Sequence, residues 1–506
     1  MVQKNILVFI FLFVFAGNVF SQEFGFGFDD DGASGSASPV SDSGLSVKMG
    51  GEIAVEMTPY VHDFKKKDNG QAISFWDMAS GKLNFTLSGS NVEAYSAFNL
   101  NAASVSELWD SPLLSGASYT PLIMDEAFLR AYIGPVNIEA GFRKLAWGKA
   151  DSLGPLDVTN PLDYTDLRNI SDIKAIKIAR PMLHLTWNTG NFSKLEAVFI
   201  PNFAGHRFAR EGRWIPAQYS TMPERIPAGI IDRAIQLHSS YASSIQTMFQ
   251  QGASALSDLQ ISVTDTSTLQ YFQTGLRYTA TIGPVDIGGQ YFYGTLFQPD
   301  FTVAGVDAFL ADLISQLPGS PPTTPTPHTN LLDPQIKYNR YHQIGIDYAQ
   351  VVWGFNLRSE FAVHITEDLS GDDGSVRNPF IGWSLGFDRE LPLGIYANIQ
   401  CNETIRLLNG KVGNNPVLDC EAGADITSTR ITAQFSKKYL RDNLESKVTV
   451  IWDIENSGCY VIPAVVWTMG GLTSELSAGV FAGKEDGELG QYWENSFVRV
   501  GVKYSF

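Results

Sequence analysis

The chain is short of cysteine, of charge, of basic residues and of long apolar runs. Three cysteines in 506 residues exclude a disulfide-built scaffold. Charged residues make up 18%, against ~25% in average soluble chains. Lys and Arg number 36 against 53 Asp and Glu, a net charge of -17. That balance argues against nucleic acid, because phosphate binding needs a basic surface. The seven His show no metal-ligand spacing, and no glycine-rich phosphate loop follows a strand. Neither a metal nor a cofactor is expected. Beyond the N-terminus no stretch reaches the ~18 consecutive apolar residues of a spanning helix.

The N-terminal segment fits a signal peptide at 1–21. Lys4 is its positive start, Ile6 to Ala16 an apolar run too short to span, and Val19-Phe20-Ser21 the cleavage site. Residues 22–45 are rich in Gly, Ser, Asp and Phe, have no period, and read as a flexible leader. From Ser46 the pattern changes to segments of about ten residues that alternate apolar with polar, the period of a strand. Val498, Val500, Val502, Tyr504 and Phe506 share one face, opposite Arg499, Gly501, Lys503 and Ser505. Phe355, Leu357, Phe361, Val363 and Ile365 oppose Asn356, Arg358, Glu360 and His364.

Short Gly/Pro/Asn turns punctuate these segments at 89–91, 134–136, 189–191, 283–285, 391–394, 441–443 and 470–471. Long loops separate the hairpins at 58–78, 101–123, 145–179, 202–269, 297–335, 408–427 and 483–494. Short turns at one end and long loops at the other are the pattern of a membrane barrel. The expected fold is all-β: a single antiparallel transmembrane β-barrel over 46–506. About 18 strands are expected, 16 as the lower alternative, with short turns on the periplasmic side and long loops outside. Two loops carry helical spacing, Ile226 to Leu259 and Val303 to Leu317. A Pro/Thr stretch, Pro318 to Pro327, follows the second.

On these residues the chain resembles bacterial outer-membrane β-barrels of the porin type. Val500, Val502, Tyr504 and Phe506 are similar to the tail such proteins present to the barrel-assembly machinery. A second resemblance lies in Trp147-Gly148-Lys149-Ala150-Asp151, continued by Asp157-Val158-Thr159-Asn160-Pro161-Leu162-Asp163. It is similar to a segment of uncharacterised porin-like barrels in which a strand enters a folded loop. The residues leave two arrangements open: a loop capped on itself outside the barrel, or one folded into the lumen. In the second case Lys149, Asp151, Asp157, Asp163 and Arg168 are the constriction candidates.

A charge facing lipid at the bilayer midplane costs ~2–4 kcal/mol for Arg or Lys. Alternation therefore assigns Arg130, Glu139, Arg143, Arg277, Arg358, Glu360, Arg406, Glu475 and Arg499 to the lumen, and predicts a polar, hydrated interior. Both signs are present, so the charges serve either as structural cross-strand pairs or as a selective constriction. Trp353, Trp383, Trp452, Trp467, Tyr338, Tyr348, Tyr396 and Tyr439 are the expected interface girdle. Cys420 and Cys459 are placed in outward loops, where a disulfide between them stays open, and Cys401 is expected to face lipid. Gly382-Trp383-Ser384-Leu385-Gly386 matches a nucleophile motif, but a strand interior is the wrong context for it. Gly371-Asp372-Asp373-Gly374 reads as a solvated turn.

The expected function is a non-enzymatic, passive outer-membrane channel for small hydrophilic solutes. Its expected partners are outer-membrane lipid, periplasmic chaperones, the assembly machinery and the solutes, with a homo-oligomer left open. The alternatives are a surface adhesin or ligand-binding protein on a barrel support and, behind it, a hydrophobic-ligand transporter. The last would need inward apolar residues near the long loops, which the strand patterns do not display.

Overall fold

A computed structural model describes residues 45–63, 79–101, 104, 122–210, 212–241, 243, 246, 262–316 and 328–506. The signal peptide, the leader up to 44, the Lys65-Lys66-Lys67 tip, the Pro/Thr stretch and most of 242–261 lie outside the described residues.

Eighteen antiparallel strands form one closed sheet. They are β1 Ser46–Met57, β2 Ala79–Ser88, β3 Val92–Leu100, β4 Met124–Ile133, β5 Val136–Arg143 and β6 Arg180–Gly190. Next come β7 Ser193–Ile200, β8 Gln273–Ile282, β9 Val285–Thr295, β10 Arg340–Val352, β11 Phe355–Thr366 and β12 Phe380–Leu391. The last are β13 Ile395–Arg406, β14 Thr427–Tyr439, β15 Leu444–Asp453, β16 Gly458–Met469, β17 Leu472–Ala482 and β18 Phe497–Ser505. Each pairs with its sequence neighbours, and β1 closes on β18 from Glu52 opposite Ser505 to Met57 opposite Val500. Closure leaves no unpaired strand edge, which a sheet in hydrocarbon cannot tolerate.

Alternation runs through the wall. On β11, Glu360, Ala362 and His364 are buried while Phe361 is 41% exposed. On β18, Val498, Val500, Val502 and Tyr504 face out. The short-turn end carries every expected turn and one more, Trp353-Gly354 between β10 and β11. Both residues have positive φ (51° and 77°), as a two-residue turn matched to strand twist requires. A bulky aromatic is a poor sequence signal for such a turn. At the other end one connection is short, Ile454 to Ser457, where β15 turns directly into β16.

Several assignments change. All three cysteines are free, so Cys420 and Cys459 form no disulfide. Cys459 stands in β16 rather than in a loop. Tyr396 shares the inward parity of Asn398 and Gln400, and Tyr338 lies in a loop against Phe203. Neither belongs to a girdle. Ser384 of the nucleophile-like motif is mid-strand, opposite Glu360. His364 Nε2 meets Gln343 Nε2 at 3.1 Å.

At the long-loop end, α1 Met222–Leu237 and α2 Val306–Ser315 pack together. Ile226, Ile230, Phe309, Leu310 and Leu313 form their shared core, with Val417 of a third loop inserted. Arg233 pairs with Asp307 at 2.7 Å, and Asn415 Nδ2 donates to the Gly229 carbonyl at 2.7 Å. α1 ends at Leu237, residues 243 and 246 are again helical, and α2 runs Val306–Ser315.

A loop folded into the barrel as the candidate functional site

The connection 144–179 between β5 and β6 turns into the lumen and reaches opposite walls. Its root is set by Asn160, whose Oδ1 accepts from Leu145 N–H at 2.8 Å. The Asn160 Nδ2 donates to the carbonyls of Arg143 (2.8 Å) and Ile178 (2.9 Å). One amide thus joins the entering and leaving chain, and Thr159 Oγ1 adds a bond to the Leu145 carbonyl at 2.7 Å. Lys177 Nζ pairs with Asp157 at 2.7 Å. Burial pushes the Asp157 carboxyl up while Lys177 draws it down. Trp147 sets its ring edge-on to Phe292 of β9, centroids 6.2 Å apart.

The tip is caught by β9–β13. The Glu360 carboxylate accepts backbone N–H groups from Lys149, Ala150 (2.7 Å) and Leu156 (3.3 Å). A Cβ at Gly148 or Gly154 would collide with that carboxylate, and Gly148 has φ +100°. Both glycines let the backbone close around the anion. Gln400 Oε1 accepts from Asp151 N–H (2.8 Å) and Ser152 N–H (3.1 Å). Gln290 and Gln343 donate to the carbonyls of Leu156 (2.9 Å) and Pro155 (2.6 Å). Arg358 pairs with Asp151 at 2.5 Å.

Beyond the tip the loop meets β16, β18 and β1. Tyr460 hydroxyl donates to the Arg168 carbonyl at 3.0 Å, and Arg499 Nη1 to Asn169 Oδ1 at 2.9 Å. Arg168 pairs with Asp166 and lies 3.8 Å from Glu56, which Arg499 approaches at 3.4 Å. Asp163 pairs with Arg207 at 2.9 Å. Leu162 N–H donates to His206 Nδ1 at 2.9 Å, and burial lowers the His206 pKa to about 3. Of the two arrangements left open by the residues, the structure adopts the one inside the barrel. Lys149, Asp151, Asp157, Asp163 and Arg168 all lie on this loop.

The interior departs from a purely polar one. Leu162, Leu167, Ile170 and Ile176 of the loop pack on inward Ile451, Tyr460, Phe481 and Phe497. Leu145, Trp147 and Val158 pack on Val198, Ile200, Phe292 and Tyr341. Inward apolar residues therefore exist at the long-loop end, and the loop covers them.

The inward charges form ladders. Arg130 bridges Glu93 (3.1 Å) and Glu139 (2.6 Å), and Arg143 joins Glu139 at 2.7 Å. His184 links Glu139 (2.8 Å) to Glu196 (3.3 Å), which Lys194 reaches at 3.1 Å. Lys82 and Lys144 share Asp125. Arg277 pairs with Asp347 at 2.7 Å. Arg406 serves the rim instead, pairing with Glu421 at 3.1 Å. Glu475 sits on the inward face of β17 opposite Gly501. Glu139, Arg277 and Glu360 are all more than nine-tenths buried, so each is enclosed by partners rather than open to the lumen. The loop-holding amides Gln290, Gln343 and Asn160 escape a search for charge. Inward parity is the signal that marks the two glutamines.

No family model and no curated protein matches the chain. Solved structures similar to it include the outer membrane channel DcaP of Acinetobacter baumannii. The identity is 9%, with 92% of this chain and 99% of that chain covered, and the TM-score is 0.37. OccAB4 of Acinetobacter baumannii has 9% identity, 93% and 100% coverage and a TM-score of 0.42. The outer membrane protein opdK of Pseudomonas aeruginosa has 9%, 91%, 99% and 0.43 respectively.

Proposed function

We propose that this protein is an outer-membrane, porin-like channel through which small hydrophilic solutes diffuse passively. The observation that carries the reading is the loop 144–179, held across the lumen by polar contacts to opposite walls. A pore needs a wall that is apolar outside and charged inside, and a constriction that keeps its place. The outward rows of Val, Leu, Ile and aromatic residues supply the first, since lipid accepts no unpaired charge. The Glu360 cradle and the Gln400 clamp supply the second. Paired charge ladders around a narrowed passage give solutes polar groups to exchange for water while holding few uncompensated charges. The long-loop end would face outside the cell. Export would use the signal peptide, and Val500, Val502, Tyr504 and Phe506 would serve as the assembly tail. The test is single-channel current of the refolded protein in a planar bilayer under a salt gradient. Discrete steps support the reading, and a folded barrel that passes no current overturns it.

A second reading, a surface ligand-binding protein on a barrel support, draws on the α1–α2 crown and its own hydrophobic core. Protease trimming of the loops on intact cells separates the two. Lost ligand binding with unchanged conductance favours the second.

A further inference from the structure

Four of the long loops meet at a cavity of about 100 Å³. Tyr219 and Arg225 come from the β7–β8 connection, Asp300 from β9–β10, Arg377 from β11–β12 and Cys420 from β13–β14. Val417 and Phe301 line it too, the first within the α1–α2 core and the second packed against that core. One side of the cavity is therefore fixed by apolar packing. The polar side carries two guanidinium groups.

These two are differently prepared. Arg377 is held in place: its Nε donates to Asp300 Oδ1 at 2.5 Å, and Asn339 Nδ2 donates to Asp300 Oδ2 at 2.7 Å. The Asp300 side chain is 1% exposed, so this carboxylate is committed to its two donors. Among the described residues, no hydrogen bond engages the η nitrogens of Arg377. Arg225 is exposed in the first turns of α1, and among the described residues its side chain has no ion pair or hydrogen bond. Glu421 lies near Arg377, but it pairs with Arg406 at 3.1 Å and accepts the Asn378 N–H at 3.1 Å. Two guanidinium groups against one committed carboxylate leave the lining positive and rich in donors.

We propose that this cavity binds an oxyanion group, a carboxylate or a phosphate, between the η nitrogens of Arg377 and the guanidinium of Arg225. A guanidinium whose Nε is already fixed presents its η nitrogens as a rigid fork, which matches the oxygens of such a group. A water's share of liquid volume is ~30 Å³, so the space suits a charged group of roughly three waters' size. A cation would meet two like charges there with no free carboxylate to offset them. Because the lining comes from separate loops, a bound oxyanion also ties α1 to the β11–β12 loop. No lining residue belongs to loop 144–179, so the inference is independent of solute passage.

The test uses the full mature chain in detergent, titrated calorimetrically with sodium phosphate and with sodium acetate at constant ionic strength. Saturable binding is expected from at least one of the two. Saturation by phosphate alone assigns a phosphate group, and by acetate alone a carboxylate. Arg225→Gln should weaken binding by about tenfold or more, as expected for loss of one hydrogen bond between charged groups. Arg377→Lys, which keeps a charge beside Asp300 but removes the fork, should weaken it similarly. Lys411→Gln changes a loop lysine that is paired with Asp372 and should leave binding unchanged. The bound ion should also slow proteolysis within α1 in the parent and not in Arg225→Gln. Saturation by neither ion would overturn the inference. So would parent-like affinity in Arg225→Gln, or an equal loss in Lys411→Gln. If Arg377→Lys yields no heat-modifiable barrel, Arg225→Gln decides alone.

Discussion

The Glu360 carboxylate accepts the backbone N–H of Ala150 at 2.7 Å across 210 residues of sequence. Lys149 and Leu156 donate to the same group, so one wall carboxylate orders the tip of the loop that narrows the barrel. A buried anion is tolerable only when its lone pairs are satisfied, and here the loop itself satisfies them. The placement of the loop tip and the hydrogen bonding of Glu360 are therefore one arrangement.

Glu360→Gln exchanges one accepting oxygen for an amide donor that faces backbone N–H groups. Hydrogen bonds to charged groups are worth about 1.5–3 kcal/mol each, so the tip should loosen. We expect larger and noisier single-channel currents, with Glu360→Ala exceeding Glu360→Gln. Unchanged conductance in both variants would mean that this loop does not limit the pore.

Gly154→Ala places a methyl group against the Glu360 carboxylate. Nothing but the carboxylate or the loop can yield, and overpacking typically costs about 1–3 kcal/mol. The variant should resemble Glu360→Gln in conductance. Combined with Glu360→Ala, which removes the carboxylate and leaves only the Ala150 Cβ at 2.7 Å, Gly154→Ala should add less than it does alone. Full additivity in that double-mutant cycle would rule out the contact as the cause.

Asn160→Ala removes three bonds from the loop root and takes the partner from the buried Leu145 N–H, a cost of about 1–3 kcal/mol. The strands do not depend on it, so the barrel should remain heat-modifiable. Limited proteolysis of the purified protein should then cut within 144–179, where the parent resists. Equal resistance would contradict the role assigned to Asn160.

Titration of His206 should couple loop docking to pH. Its Nδ1 accepts from Leu162 N–H, which requires a neutral ring, and burial holds its pKa at about 3 against ~6.5 in an unfolded or undocked chain. The docked state therefore binds fewer protons. From His206 alone, docking is strongest above pH ~6.5 and weakens as pH falls toward 3, by about 2 kcal/mol at pH 5, while the raised Asp157 carboxyl acts in the opposite sense. We expect current noise to rise between pH 7 and pH 5, and His206→Asn, which keeps an acceptor, to flatten that rise. A pH profile identical in His206→Asn and parent would assign the effect elsewhere.

Much of the barrel is legible in the chain because the strand period is local. Val500, Val502 and Tyr504 alternate with Gly501 and Lys503 whatever else the chain does, and the cost of charge in lipid decides which row faces out. Turn chemistry at Gly134-Pro135 or Gly470-Gly471 is equally local, whereas Trp353-Gly354 is hidden by a residue that turns rarely use. The girdle was legible only in part: strand-end aromatics do not all face lipid, since Tyr396 shares the inward parity of Asn398 and Gln400 and Tyr338 lies in a loop.

The sequence by itself determined the strands, their inward and outward faces and the short-turn end, since each depends on neighbours within a few residues. Only the tertiary structure decided that loop 144–179 enters the lumen. The groups that hold it, Glu360, Gln290, Gln343 and Gln400, lie on strands far along the chain, and closure alone brings them opposite Gly148 and Gly154. The same closure gathers inward Phe481 and Phe497 into the surface on which the loop packs.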